Sequence, residues 1–115
     1  MDNLPLKIKT HPGQNDGQLV IALSGPLTLN TLFDFQAVVR AEKARSMIID
    51  MSEVPYVDSA GLGSIMNAHV SCAKNGRRFA LAAVPDRVRT MLGVARVDTV
   101  LAIFPTTQEA QQNLA

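Results

Sequence analysis

Downstream of residue 30, the apolar residues of this chain switch repeatedly between two spacings, that of a helix stripe and that of a short buried strand. From Thr31 to about Lys43, Leu32, Phe35 and Val39 share one stripe with Val38 beside it, while Asp34, Arg40 and Glu42 fall elsewhere. That pattern predicts an amphipathic helix, capped by Asn30 or Thr31. Met47, Ile48 and Ile49 then form an apolar run closed by Asp50, as expected of a strand buried on both faces. A second helix is expected from Ser59 to about Lys74, with Leu62, Ile65, Met66, His69 and Cys72 or Ala73 at helical spacing and Asn75 and Gly76 as its stop. Phe79, Leu81 and Ala83 predict a fourth strand. Pro85 suits the first turn of a third helix carrying Val88, Met91 and Leu92 on one face. Val100 to Phe104 reads as a fifth strand, and Thr106 with Glu109 as a capping box opening a last helix through Ala110 to about Leu114.

The first 30 residues follow a different rule. Leu6, Ile8 and Thr10 alternate with Lys7 and Lys9, the run Leu19 to Ser24 follows a polar turn at residues 11–18, and Gly25 and Pro26 close it. Two such strands joined by a short turn predict an antiparallel hairpin. The strand, helix, strand alternation that follows predicts parallel neighbours joined by right-handed crossovers. The expected architecture is therefore α/β: a mixed five-stranded sheet with a leading β-hairpin and about four helices, in one domain over residues 1–115. No internal repeat, linker or low-complexity segment interrupts it.

Composition removes several function classes. At 47% hydrophobic and 18% charged residues, the chain carries the apolar surface of a packed globule. Eleven Lys and Arg against ten Asp and Glu leave a net charge of +1, so no long-range field draws it to nucleic acid or anionic lipid. One cysteine and two histidines, His11 and His69, are too few for a structural zinc site, so neither a metal nor a cofactor is expected. No apolar stretch approaches the roughly 20 residues of a membrane span, and the N-terminus lacks the pattern of a secretion signal. No direct membrane insertion and a cytoplasmic location are the expectations.

The informative segment runs from Asp50 to Gly63, DMSEVPYVDSAGLG. It leaves a buried strand, crosses a loop and enters a helix whose first turn holds Asp58 and Ser59 at a positive dipole end. The first N–H groups there have no internal partner, so they can bond either a capping Asp58 or an added phosphate. Gly61 and Gly63 each cost about 1 kcal/mol of helix propensity relative to alanine. Their missing side chains allow a close approach to the first turn, by a neighbouring strand or by another protein. Helix capping by itself accounts for an Asp-Ser pair in this place; the surrounding pattern is what favours more.

The pattern of Asp50, Ser52, Val54, Asp58, Ser59, Gly61 and Leu62 resembles the signature of the STAS domain, and more narrowly that of the bacterial anti-sigma factor antagonists. The likeness extends to the hairpin, to Gly25 and Leu27, to Pro85 with Val88, and to Phe104 with Glu109 and Ala110. It implies a STAS-like fold and a phosphorylatable serine at Ser59. It also implies a partner, an anti-sigma factor with serine kinase activity and a histidine-kinase-like ATPase fold, and a phosphoserine phosphatase that reverses the modification. By the same resemblance the unmodified form binds the anti-sigma factor and frees the sigma factor. Thr28, Asp58, Ser59, Ala60, Gly61, Leu62 and Gly63 are the expected partner-binding residues. The chain departs from the family at Thr28, where an acidic residue is frequent, and at Arg96 and Val97, where a Gly-Leu pair is frequent. Thr28 bears on which partner is recognised, Arg96 on how the third helix ends. A different reading of the same resemblance is an unphosphorylated scaffold subunit of a transporter, of the ABC lipid-transport type, or of a larger signalling complex.

Catalytic readings are weaker. His69 lies ten residues from Ser59, about 15 Å along a helix and beyond hydrogen-bond reach; His11 reads as a solvated loop residue. Gly61 and Gly63 begin a dinucleotide fingerprint, but Met66 takes the third glycine position and no Walker lysine follows. Asp50 and Ser52 read as loop-ordering groups, Cys72 as an inert core thiol, and Arg77, Arg78, Arg87, Arg89 and Arg96 as a solvated basic face. No residue is assigned as catalytic.

Overall fold

In a computed structural model describing residues 4–115, the sheet runs in the order β1-β2-β3-β4-β5. The strands are β1 (Lys7–Pro12), β2 (Gln18–Ser24), β3 (Ser46–Glu53), β4 (Arg78–Ala82) and β5 (Ala102–Phe104). β1 pairs antiparallel with β2, and every later pair is parallel. The helices α1 (Leu32–Ala41), α2 (Ser59–Lys74), α3 (Asp86–Val94) and α4 (Thr107–Asn113) fill the crossovers and the end of the chain. The expected mixed sheet, leading hairpin and four helices are all present.

The two sheet faces are covered differently. Strand residues Ile21, Leu23, Met47, Ile49, Met51, Phe79 and Leu81 alternate onto one face. There they meet Phe35 and Val39 of α1, Ile65 and Cys72 of α2, and Val88 and Leu92 of α3. On the opposite face Val20, Ile48, Ala80 and Ala82 lie under Ala110 and Leu114 at the end of the chain. The small β4 alanines fit because α4 sits close over them. Gln111 of α4 also holds the β1–β2 turn: its carbonyl accepts from Asn15 (2.9 Å) and Gln18 (3.1 Å), and its Oε1 accepts from Gln14 N (2.8 Å).

Several boundaries differ from the sequence expectation, each for a local reason. β3 does not stop at Asp50 but runs on to Glu53, because Asp50 points to a part of the sheet that α4 leaves open, beside Lys7, Lys9 and Ser52. β4 ends at Ala82; Ala83 turns out of the strand at φ +55° while its N–H still donates to Phe104 O. β5 starts only at Ala102, because the N–H groups of Val100 and Leu101 close a turn on Val97 O. α1 ends at Ala41 rather than near Lys43, and Pro85 occupies the N-cap of α3, one residue before its first turn. Thr31 is the N-cap of α1 without a side-chain cap bond, since its hydroxyl donates to Pro26 O (2.8 Å) and accepts from Thr28 N (2.9 Å).

α2 and α3 end on the same backbone device. After α2, Gly76 N donates to Ala73 O and Arg77 N to Cys72 O; after α3, Arg96 N donates to Gly93 O and Val97 N to Leu92 O. The residue that must turn left-handed is Gly76 in the first (φ +68°) and Arg96 in the second (φ +62°). A left-handed side chain crowds its own carbonyl at a cost of roughly 1–2 kcal/mol. Arg96→Gly is therefore expected to raise stability by about 1 kcal/mol, read as a higher urea midpoint at unchanged slope. A lower midpoint would contradict this account of the α3 terminus.

Candidate functional site

β2 and β3 are parallel neighbours, so the loops that leave their C-terminal ends emerge side by side. Backbone bonds join the two loops: Gly25 N donates to Glu53 O, Leu27 N to Tyr56 O and Asp58 N to Leu27 O, with Leu27 and Val57 forming a parallel bridge. Leu27 and Val57 are buried, which anchors the joint in the core.

Asp58 closes the arrangement with both oxygens. Oδ1 accepts from Gly61 N at 2.7 Å, capping α2, and Oδ2 accepts from Leu29 N at 3.1 Å, reaching across to the other loop. One carboxylate thus fixes where α2 starts and where the β2–α1 loop lies against it. Asp58→Ala is expected to cost about 2 kcal/mol, roughly half from the lost cap and the remainder from the lost cross-loop bond to a charged acceptor. Chemical denaturation checks the value, and a cost below about 0.5 kcal/mol would remove Asp58 as the clamp.

The two glycines of the motif have different reasons. A β-carbon on Gly61 would sit inside van der Waals contact with Leu27 O and 2.8 Å from its carbonyl carbon, so the β2–α1 loop passes over the bare backbone. A β-carbon on Gly63 would meet nothing within 4 Å, so that position is open to the outside. The close approach foreseen for both is internal at Gly61 and unoccupied at Gly63.

Ser59 is exposed at the first helical position. Its hydroxyl takes part in none of the side-chain hydrogen bonds among the described residues. Its N–H and that of Ala60 precede the helical hydrogen-bond ladder, which starts with Leu62 N on Asp58 O. Ala60 and Leu62 are half-buried, Gly63 is exposed and Gly61 is buried. Thr28 is only 9% exposed, and its hydroxyl accepts from Asn30 N. Thr28 and Gly61 therefore shape this surface from beneath, while Ser59 and Gly63 present it.

Three large apolar side chains stand exposed on the same elements: Leu29 (60%) on the β2–α1 loop, Phe33 (64%) in the first turn of α1 and Tyr56 (37%) on the β3–α2 loop. The sequence reading did not single them out. Its available signal was Phe33, an apolar residue off the stripe of Leu32, Phe35 and Val39 with no core position to fill.

The remaining chemistry-bearing residues lie apart from Ser59. His11 pairs with Val20 near the start of β2, at the far end of the sheet from Ser24 and Glu53. His69 packs edge-on against Phe79 at 6.3 Å between ring centroids. Cys72 is buried; desolvation pushes its thiol up, the Arg77 cation pulling more weakly the other way, so it stays protonated and unreactive at neutral pH. Among the described residues no three His, Cys, Asp or Glu side chains gather as a metal site, and no helix is long and apolar enough to cross a membrane.

The sequence profile of the STAS domain matches residues 7–110. Over 68 residues the chain is 31% identical to a Thermotoga neapolitana protein classed as an anti-sigma factor antagonist, a match covering 59% of this chain and 60% of that one. The chain thus matches 60% of that relative's length, under two thirds. Its fold is similar to the crystal structure of an anti-sigma factor antagonist of Mycobacterium paratuberculosis, with a TM-score of 0.80 at 22% identity over 94% of both chains. It is similar as well to a sulfate transporter family protein of Wolinella succinogenes, with a TM-score of 0.79 at 22% identity over 87% of this chain and 86% of that one. At these identities the two likenesses speak for the fold alone.

Proposed function

The chain belongs to the STAS domain family, and from that premise we propose that it is an anti-sigma factor antagonist whose binding is switched off by a phosphate on Ser59. The unmodified protein docks on an anti-sigma factor that is also a serine kinase with a histidine-kinase-like ATPase fold, and so frees the sigma factor. A phosphoserine phosphatase resets it. The observation that carries this reading is the exposed, uncommitted Ser59 hydroxyl beside a clamped Asp58.

The physical case has three parts. A kinase needs a hydroxyl it can reach, and Ser59 lies at the surface at the capped N-terminus of a helix. A docking partner needs apolar surface to bury, and Leu29, Phe33 and Tyr56 supply it on the elements around Ser59. The switch needs a modification that spares the fold. A phosphate adds about −1.5 to −2 charge, which the unpaired N–H groups of Ser59 and Ala60 and the α2 dipole accommodate in the free protein. In a closed interface the same charge is desolvated beside the Asp58 carboxylate, where like charges cost several kcal/mol. Docking is lost and the fold is kept.

The test is to incubate the protein with such a kinase and ATP and map the product by mass spectrometry. One phosphate on Ser59 is expected; modification solely elsewhere, or none, contradicts the proposal. The fold, shared with the Wolinella succinogenes sulfate transporter family protein, is equally compatible with a second reading, an unphosphorylated scaffold subunit of a transporter or signalling complex. That role would use the same apolar patch and would leave Ser59 unmodified.

A further inference from the structure

Between α1 and α2 lies a cavity of about 250 Å³ that the docking surface around Ser59 does not use. We propose that it binds a small organic monocarboxylate, with the apolar part of the ligand in the cavity and the carboxylate on Arg40. The floor is made by the buried Phe35 and Val39 of α1 and Ala68 and Ser64 of α2, and is mostly apolar because the Ser64 hydroxyl is turned onto Gly61 O (2.6 Å). The rim is polar, made by Gln36, Asn67 and Ser71 together with Arg40. The lining contains one cation and no carboxylate, so its charge complements an acid and no basic ligand.

Arg40 is free to take that role. Its guanidinium enters none of the side-chain hydrogen bonds among the described residues; only its backbone carbonyl does, accepting from Lys43 Nζ at 3.3 Å. A planar guanidinium fork matches a carboxylate with two parallel N–H bonds. Arg40 stands in the last turn of α1, where unpaired carbonyls would repel an anion. Two cations offset that field: Lys43 on Arg40 O, and Arg77, which donates to Glu42 O at 3.1 Å.

Size sets the ligand class. An apolar cavity of roughly 150 Å³ holds a six-carbon ring, and pockets for drug-sized ligands start at roughly 300 Å³. A volume of about 250 Å³ fits a six- to eight-carbon acid and is too small for a nucleotide.

Titrating sodium hexanoate into the isotope-labelled protein, followed by amide chemical shifts, tests this. The expected result is saturable shifts, at millimolar concentration or below, confined to residues 35–40 and 64–71. Hexanol, the same chain without the charge, should bind at least tenfold more weakly. Arg40→Gln, an exposed substitution that leaves the core intact, should weaken hexanoate at least tenfold and leave hexanol unchanged. Absence of saturable shifts, equal affinity for hexanoate and hexanol, or an indifferent Arg40→Gln variant would overturn the proposal. Shifts centred instead on Leu29, Phe33 and Tyr56 would overturn it too, by placing the acid on the exposed patch.

Discussion

Adding one methyl group at Gly61 should lower the melting temperature by roughly 10 °C, from a loss of about 3 kcal/mol at about 4 °C per kcal/mol. The new β-carbon would collide with the Leu27 carbonyl, which is backbone held by the Leu27–Val57 bridge and by Asp58 N. Backbone cannot rotate aside as a side chain does. Either α2 tilts away from the sheet, opening the core around Ile65, or the β2–α1 loop lifts and breaks the Asp58 to Leu29 bond. Gly63→Ala is the matched control, with the same chemistry two residues on, in open space on an exposed helix face. It should gain up to about 1 kcal/mol from helix propensity. Thermal melts of the two variants side by side check the contrast, and similar melting points would mean that the β2–α1 loop does not lie against Gly61 of α2.

If the proposed switch operates, Ser59→Asp should weaken binding to the proposed kinase partner by at least about a hundredfold, equivalent to nearly 3 kcal/mol, while Ser59→Ala should bind like the parent. The asymmetry follows from position. Ser59 contributes no hydrogen bond that holds the site together, so deleting its hydroxyl costs the fold almost nothing. An added carboxylate stands next to Asp58, whose own carboxylate holds Leu29 N, with the exposed Leu29 and Tyr56 on the two loops that meet there and Phe33 in the first turn of α1. A partner that docks over both loops and the first turn of α2 desolvates the new charge, and an unpaired buried charge is among the most expensive defects an interface can hold. In the free protein the first turn of α2 favours the negative charge, so the unfolding curve of Ser59→Asp should match or exceed that of the parent. Loss of binding together with loss of stability would point to a damaged helix start instead. Equal binding by all three proteins would count against the switch.

The sequence was legible wherever a local pattern decides the structure. The bounds of α2, Ser59 to Lys74, followed from a capping Asp-Ser pair at one end and Asn75-Gly76 at the other. The hairpin and the crossovers followed from the change of spacing. What stayed hidden depends on contacts between distant positions or on the sign of φ. Nothing in the residues near Asp58 shows that its second oxygen reaches Leu29, 29 positions away. Gly61 and Gly63 look alike in the sequence, and only the path of the β2–α1 loop separates them. Ala83 and Arg96 sit left-handed without a glycine to announce it, and the apolar run from Val100 carries no sign that its first two N–H groups close a turn. The same limit applies to Leu29 and Tyr56, whose exposure depends on how the completed core is filled, whereas Phe33 lies off the stripe of α1.

Calorimetric titration of the proposed partner, an anti-sigma factor with serine kinase activity, with two forms of this protein, unmodified and carrying a single phosphate on Ser59, is the direct comparison. At least a hundredfold weaker binding by the phosphorylated form, with unchanged circular dichroism, is the predicted result. Equal affinity of the two forms would contradict it.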